Sequence, residues 1–85
     1  MNMTTDLDAL LTPLNLPDAI RNQARRLLIA IQQADSGADL QRAADRADGF
    51  GLGIETVRAL NPSSLEGLYM AFDRIADERR ESLTP

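Results

Sequence analysis

The strongest constraint on the fold is a single apolar stripe in the last third of the chain. Its members recur at intervals of three and four positions: Leu65, Leu68, Tyr69, Phe72, Ile75 and Ala76. This spacing places them on one face of an α-helix. Ser63 precedes the stripe, and Glu66 follows Ser63 by three positions, as in a capping box. The sequence therefore predicts an amphipathic helix over residues 64–80 that is capped by Ser63.

Turn-forming residues divide the remainder of the chain into further helical segments. The breaks fall at Pro13, at Ser36-Gly37, at the glycine-rich stretch 49–53 and at Asn61-Pro62. The predicted helices cover residues 6–12, 17–35, 39–48, 54–60 and 64–80. No segment alternates apolar and polar residues as a half-buried strand does. We therefore expect an all-α fold, a compact bundle of four to five short helices that forms a single domain over residues 1–85.

The composition removes most catalytic chemistry. The chain has no Cys, His, Lys or Trp, and all nine basic residues are Arg. Thiolate nucleophiles, imidazole bases, Schiff-base lysines and Cys/His zinc sites are therefore excluded. The acidic pairs Asp6/Asp8 and Asp45/Asp48 lie in otherwise polar stretches, where a helix dipole alone explains acids at a helix start. We expect no enzymatic activity, no metal and no cofactor.

Charge and hydropathy limit the partners and the location. The formal net charge is −4, which opposes binding to a phosphate backbone. The longest apolar stretch, Leu27–Ile31, is far shorter than the roughly 20 residues that a bilayer span needs. The N-terminus also lacks the pattern of a secretory signal peptide. These features predict a cytoplasmic protein that binds no membrane.

Two apolar residues lie on the outer faces of predicted helices, where the amphipathic pattern leads us to expect polar residues. Ile29 projects from the back of the second helix, where Arg25 and Arg26 also lie, and Met70 projects from the polar side of the last helix. Flexible Met side chains suit adaptable interfaces. We therefore predict partner binding by Ile29 and Met70, with Arg25 and Arg26 as a charged rim. The predicted function is that of a non-catalytic helical protein that binds a larger protein and inhibits, escorts or regulates it, with homodimerisation as a further possibility.

A first alternative depends on Ser36, which follows Asp35 at the start of a predicted helix. Three later residues follow this serine at sequence distances similar to those in acyl and peptidyl carrier proteins: Phe50, Gly51 and Ile54. In these positions the chain is similar to acyl and peptidyl carrier proteins, and the resemblance implies a phosphopantetheine arm on Ser36. Gly37, Arg42 and Arg46 depart from the carrier pattern, since a carrier places apolar residues there.

A second alternative is a helix-turn-helix over Leu40–Leu60 that reads DNA. In such a motif the second helix enters the major groove and presents polar or basic side chains to base edges. The second helix would be Ile54–Leu60, in which Arg58 is the one basic residue. Together with the negative net charge, this places DNA binding behind protein binding.

Overall fold

The computed structural model describes residues 5–84 and shows a bundle of four α-helices over this range. The helices are α1 (Leu7–Leu11), α2 (Asp18–Gln32), α3 (Gly37–Thr56) and α4 (Pro62–Leu83), with a 3₁₀ turn at Thr12–Leu14 after α1. No strand occurs between residues 5 and 84. The predicted all-α bundle is confirmed; residues 1–4 and 85 of the predicted domain lie outside the described residues. Within the described range, no helix is both long and apolar enough to span a bilayer.

The first helix is short and capped. The Asp6 carboxylate accepts the backbone N–H groups of Asp8 and Ala9 at 3.0 and 3.4 Å, which satisfies two of the N–H groups that a helix start leaves unpaired. Pro13 lies within the 3₁₀ turn that continues the helix. The turn ends at Asn15, whose φ of 51° is left-handed. Asn tolerates this conformation better than most residues, so the chain can change direction here.

Helix α2 carries the predicted apolar stripe but is shorter than the predicted 17–35. It begins directly after Pro17 and ends at Gln32. The pattern could not locate this end because apolar spacing continues to Ala34, which is buried beyond the helix. The residues that α2 buries are Ala24, Leu27, Leu28 and Ile31.

The prediction of separate helices over 39–48 and 54–60 is wrong, because α3 runs without a break through the glycine-rich stretch. No described glycine has a positive φ, so none of them turns the chain. Gly51 is buried, and a Cβ atom there would lie 2.6 Å from Cε1 of Tyr69. The missing side chain thus makes room for the Tyr69 ring against α3, and this packing outweighs the low helix propensity of glycine.

Helix α3 ends in a Schellman motif instead of leading into a recognition helix. The N–H of Ala59 bonds the carbonyl of Ile54, and the N–H of Arg58 bonds the carbonyl of Glu55, both at 3.1 Å. Arg58 has the left-handed φ of 54° that this motif requires. The two-helix layout of the DNA-binding alternative is therefore absent, since Ile54 belongs to the last turns of α3 and Arg58 to its terminus.

The cap of α4 is Asn61, and the predicted Ser63 cap is wrong. The Asn61 side chain accepts the N–H of Ser64 at 2.8 Å. Asn caps helices as well as Ser does, and proline is favoured at the first helical position, which Pro62 occupies. Asn61-Pro62 therefore starts α4, and Ser63 lies exposed in its first turn. The helix also extends to Leu83, beyond the predicted end at residue 80.

The core is built by all four helices. Its largest side chains with almost no exposed area are Leu11, Leu28, Ile31, Leu40, Leu68, Phe72 and Ile75. The largest helix-to-helix contact is between α3 and α4. The first turns of α3 and the last turns of α4 line one crevice, in which Gly37 and Leu40 face Leu83 and Thr84. The two helices are thus an antiparallel hairpin.

Candidate functional site

The structure places the two apolar residues of the predicted interface in different environments. Ile29 is half-buried and packs against the core, whereas Met70 is 63% exposed. Arg79 donates a hydrogen bond to the carbonyl of Ala34, just beyond α2. Arg79 lies nine positions after Met70, which is about half a turn around the helix axis at 100° per residue. Met70 therefore points away from α2, and the structure does not bring it together with Ile29.

The arginines of the predicted rim make contacts within the chain. Arg25 Nε lies 3.2 Å from the Asp8 carboxylate, and Arg21 Nη2 lies 3.6 Å from the same oxygen. Arg26 donates to the Gln23 side chain at 3.3 Å. Arg25 and Arg21 thus connect α2 to α1 through exposed ion pairs, which contribute less than about 1 kcal/mol each.

Ser36, the residue of the carrier alternative, is the N-cap of α3. Its hydroxyl oxygen accepts the N–H of Asp39 at 3.1 Å, and the residue is exposed. The preceding helix ends at Gln32, so only residues 33–36 connect it to α3. This connection is shorter than the extended loop that carriers have before their modified serine.

A different pair of apolar residues shares one side of the α3–α4 hairpin. Gly51 of α3 and Tyr69 of α4 face each other. Leu52 and Met70 are the next residues along each helix, and each is rotated by about 100° from the contact. Because the helices are antiparallel, both rotations lead to the same side of the hairpin. Leu52 is 60% and Met70 63% exposed there. We call this side the hairpin face.

Carboxylates surround the apolar pair on the hairpin face. The same rotation rule, applied from Gly51 and Tyr69, puts three acids of each helix on this side. They are Asp45, Asp48 and Glu55 of α3, and Glu66, Asp73 and Asp77 of α4, all exposed. Asp77 pairs with Arg80 at 2.8 Å. Arg74, which the same rule places one turn after Met70, pairs with Glu78 at 3.1 Å. Within residues 5–84, the other five acids of this side form no ion pair.

Asp48 lies close enough to acids of both helices for their charges to raise its pKa. Partial burial raises the pKa of Asp48 above its ordinary 3.8, and the charges of Asp73 and Asp45 raise it further. Burial also raises the pKa of Tyr69, together with the charges of Glu55 and Asp48. Asp48 is thus coupled to acids on both helices. The polar stretch around Asp48 gave no indication of this, because Asp73 is brought close only by the fold.

Asp48→Asn is expected to raise the melting temperature at pH 7 by about 1–3 °C. The folded protein holds the Asp48 proton more tightly than the unfolded chain does, so this group lowers stability as the pH rises above about 3.8. The gain should therefore disappear at pH 3, where the carboxyl is protonated in both states. Thermal melts at both pH values measure it. Asp77→Asn is the contrast, because it removes the partner of Arg80 and should give no gain. A gain that persists at pH 3 would contradict the assignment.

The sequence did not identify Leu52 as a surface residue because it lies inside the expected glycine turn. Once 37–56 is one helix, the buried residues Leu40, Ala47 and Gly51 define its inner face. Leu52 then falls about 100° from Gly51, beside Asp45 and Asp48. If residues 37–56 are taken as one helix, the sequence pattern alone places Leu52 outside the inner face.

Within residues 5–84, no group of three or more acidic side chains is placed to hold a metal ion. Comparison of the chain with known protein families, curated proteins and solved structures gives no match. The hairpin face is therefore the surface from which a function is inferred.

Proposed function

We propose that this chain is a non-catalytic protein-binding module that holds a larger protein on the hairpin face and thereby inhibits, escorts or regulates it. The observation that carries the proposal is the exposure of Leu52 and Met70, both above one half, on the same side of the α3–α4 hairpin. Single exposed apolar residues are common on monomeric proteins. Two of them on one face of adjacent helices provide a contact area that a partner can cover.

The chemistry of the pair fits the centre of a small interface. Interface centres are apolar and depleted in charged residues, Met is enriched in them, and the rim is polar. Met70 and Leu52 are the centre here, and the acids of the hairpin face are the rim. A third exposed apolar residue, Val57, is 71% exposed but lies about 140° from Leu52 around α3. Val57 therefore belongs to a different surface.

The double variant Leu52→Gln/Met70→Gln tests the proposal. Gln keeps the length and helix propensity of these positions and removes their apolar character. A protein captured by the native chain from its host should then be produced pure and titrated by calorimetry against the native chain and the variant. We expect at least a 10-fold loss of affinity, because hot-spot residues at an interface centre each contribute more than about 1 kcal/mol and two of them are removed.

Val57→Gln is the matched control, because it makes the same kind of change on another surface. It should leave the affinity unchanged. The proposal is wrong if no captured protein distinguishes Leu52→Gln/Met70→Gln from the native chain, or if Val57→Gln weakens binding equally. Circular dichroism should show that all variants keep the helical content of the native chain.

A further inference from the structure

The hairpin face has an excess of negative charge that the chain itself does not neutralise. Five of its six acids form no ion pair within residues 5–84. Along the helix axes, Asp48 and Asp73 lie on one side of the apolar pair, and Glu55 and Glu66 lie on the other side. The apolar pair therefore has carboxylates on both flanks, which is the reverse of a surface that attracts anions.

This charge pattern disfavours two kinds of occupant. A nucleic acid would bring its phosphates against the acids of the face and be repelled. A second copy of the chain, docked through the same face, would bring the acids of one face against those of the other, and like charges brought together disfavour the contact. The occupant must instead bring positive charge.

The geometry also limits the shape of the occupant. Leu52 and Met70 stand on two neighbouring helices, whose axes in such pairs are about 8–10 Å apart. A helix with one apolar stripe can lie across the two helices and contact Leu52 and Met70 through positions i and i+7, which are about 10.5 Å apart along its axis. Side chains that flank this stripe would then reach the acids on each side.

We infer that the hairpin face binds a cationic amphipathic helix of a protein partner, with Leu52 and Met70 against its apolar stripe and the flanking acids against its Arg and Lys side chains. This inference rests on the proposed function and adds the chemistry of the partner segment. Electrostatic complementarity of this kind increases the association rate and selects against acidic partners.

The probe is a synthetic 18-residue helical peptide with a Leu stripe flanked on both sides by Arg, labelled for fluorescence anisotropy. Two control peptides have Glu in place of every Arg, or the same composition with Leu distributed around the helix. We expect binding of the first peptide alone. Its affinity should fall about 10-fold between 50 and 500 mM NaCl, because exposed charge pairs are screened. Leu52→Gln/Met70→Gln should weaken it at least 10-fold.

A charge-matched pair of variants separates the hairpin face from the net charge. Asp48→Asn/Asp73→Asn should weaken peptide binding about 3- to 10-fold and flatten its salt dependence. Asp18→Asn/Asp35→Asn removes the same charge from exposed positions in the first turn of α2 and in the loop after it. This second double variant should bind the peptide as the native chain does.

The inference is overturned if the Arg peptide fails to bind at about 1 mM in low salt, if the Glu peptide binds equally well, or if both charge variants weaken binding equally. These outcomes differ from a failure of the proposed function. A captured partner that needs Leu52 and Met70 but binds through a neutral or acidic segment would support the proposed function and refute this inference. If no partner depends on Leu52 and Met70, the proposed function fails.

Discussion

Phe72→Ala is expected to lower the free energy of unfolding by about 3–5 kcal/mol, because it leaves a cavity in the core. Phe72 is 2% exposed and is the largest of the almost completely buried side chains. A domain of this size has a total stability of about 4–13 kcal/mol, so the variant should unfold at much lower denaturant concentration or fail to fold. Urea titration followed by circular dichroism measures the change in midpoint.

Met70→Ala is the control on the same helix, two positions earlier. Met70 is exposed on the hairpin face, so its truncation should change the free energy of unfolding by less than about 0.5 kcal/mol. The contrast tests which side of α4 faces the core. A loss at Met70 comparable to that at Phe72 would show that Met70 is packed, and the hairpin face would then lack one of its two apolar residues.

The second large effect is expected for Gly51 and Tyr69 together. In the native chain, Gly51→Ala forces a Cβ atom to within 2.6 Å of the Tyr69 ring, so the ring must leave its place between α3 and α4. In a Tyr69→Ala background the space is free, and Gly51→Ala should then stabilise α3 by about 0.5–1 kcal/mol through helix propensity. The double-mutant cycle should give a coupling energy of about 1–3 kcal/mol.

Gly49 and Gly53 provide the controls for this cycle. A Cβ atom at either position would have no atom within 4 Å from outside its own helix, and neither glycine has a positive φ. Gly49→Ala and Gly53→Ala should therefore each stabilise the protein by about 0.5–1 kcal/mol in both backgrounds, as measured by urea titration. If Gly51→Ala were equally stabilising in the native chain, the packing of the Tyr69 ring against Gly51 would be refuted.

The local interactions of the last helix were readable from the sequence. The ion pairs Arg74–Glu78 and Arg80–Asp77 form as their spacing predicts. Its apolar stripe also packs as expected, with Leu68 and Phe72 in the core. These features depend only on the helical repeat, which brings residues three and four positions apart onto one face. Periodicity alone therefore predicted the fold class.

At the glycines of α3, tertiary packing overrides the local preference of the sequence for a turn. Gly49, Gly51 and Gly53 predict a turn from propensity, yet the segment is helical because burial of Gly51 against Tyr69 favours a continuous helix. Gly51 and Tyr69 are 18 positions apart in the sequence, so a pattern of neighbouring residues cannot reveal their contact. For the same reason the sequence did not predict that Leu52 is exposed, since this follows only once α3 is a continuous helix.

The sequence by itself determined that the chain forms amphipathic helices and that no thiol, imidazole or amine side chain is available for catalysis. It also marked Met70 as an apolar residue on a polar helix face. Only the tertiary structure decided which apolar residue shares a surface with Met70. The antiparallel packing of α3 on α4 puts Leu52 on the same side as Met70, whereas Ile29 packs against the core. The physical reason is that a helical repeat fixes the direction of a side chain around its own axis, whereas the surface it joins depends on how the helices pack.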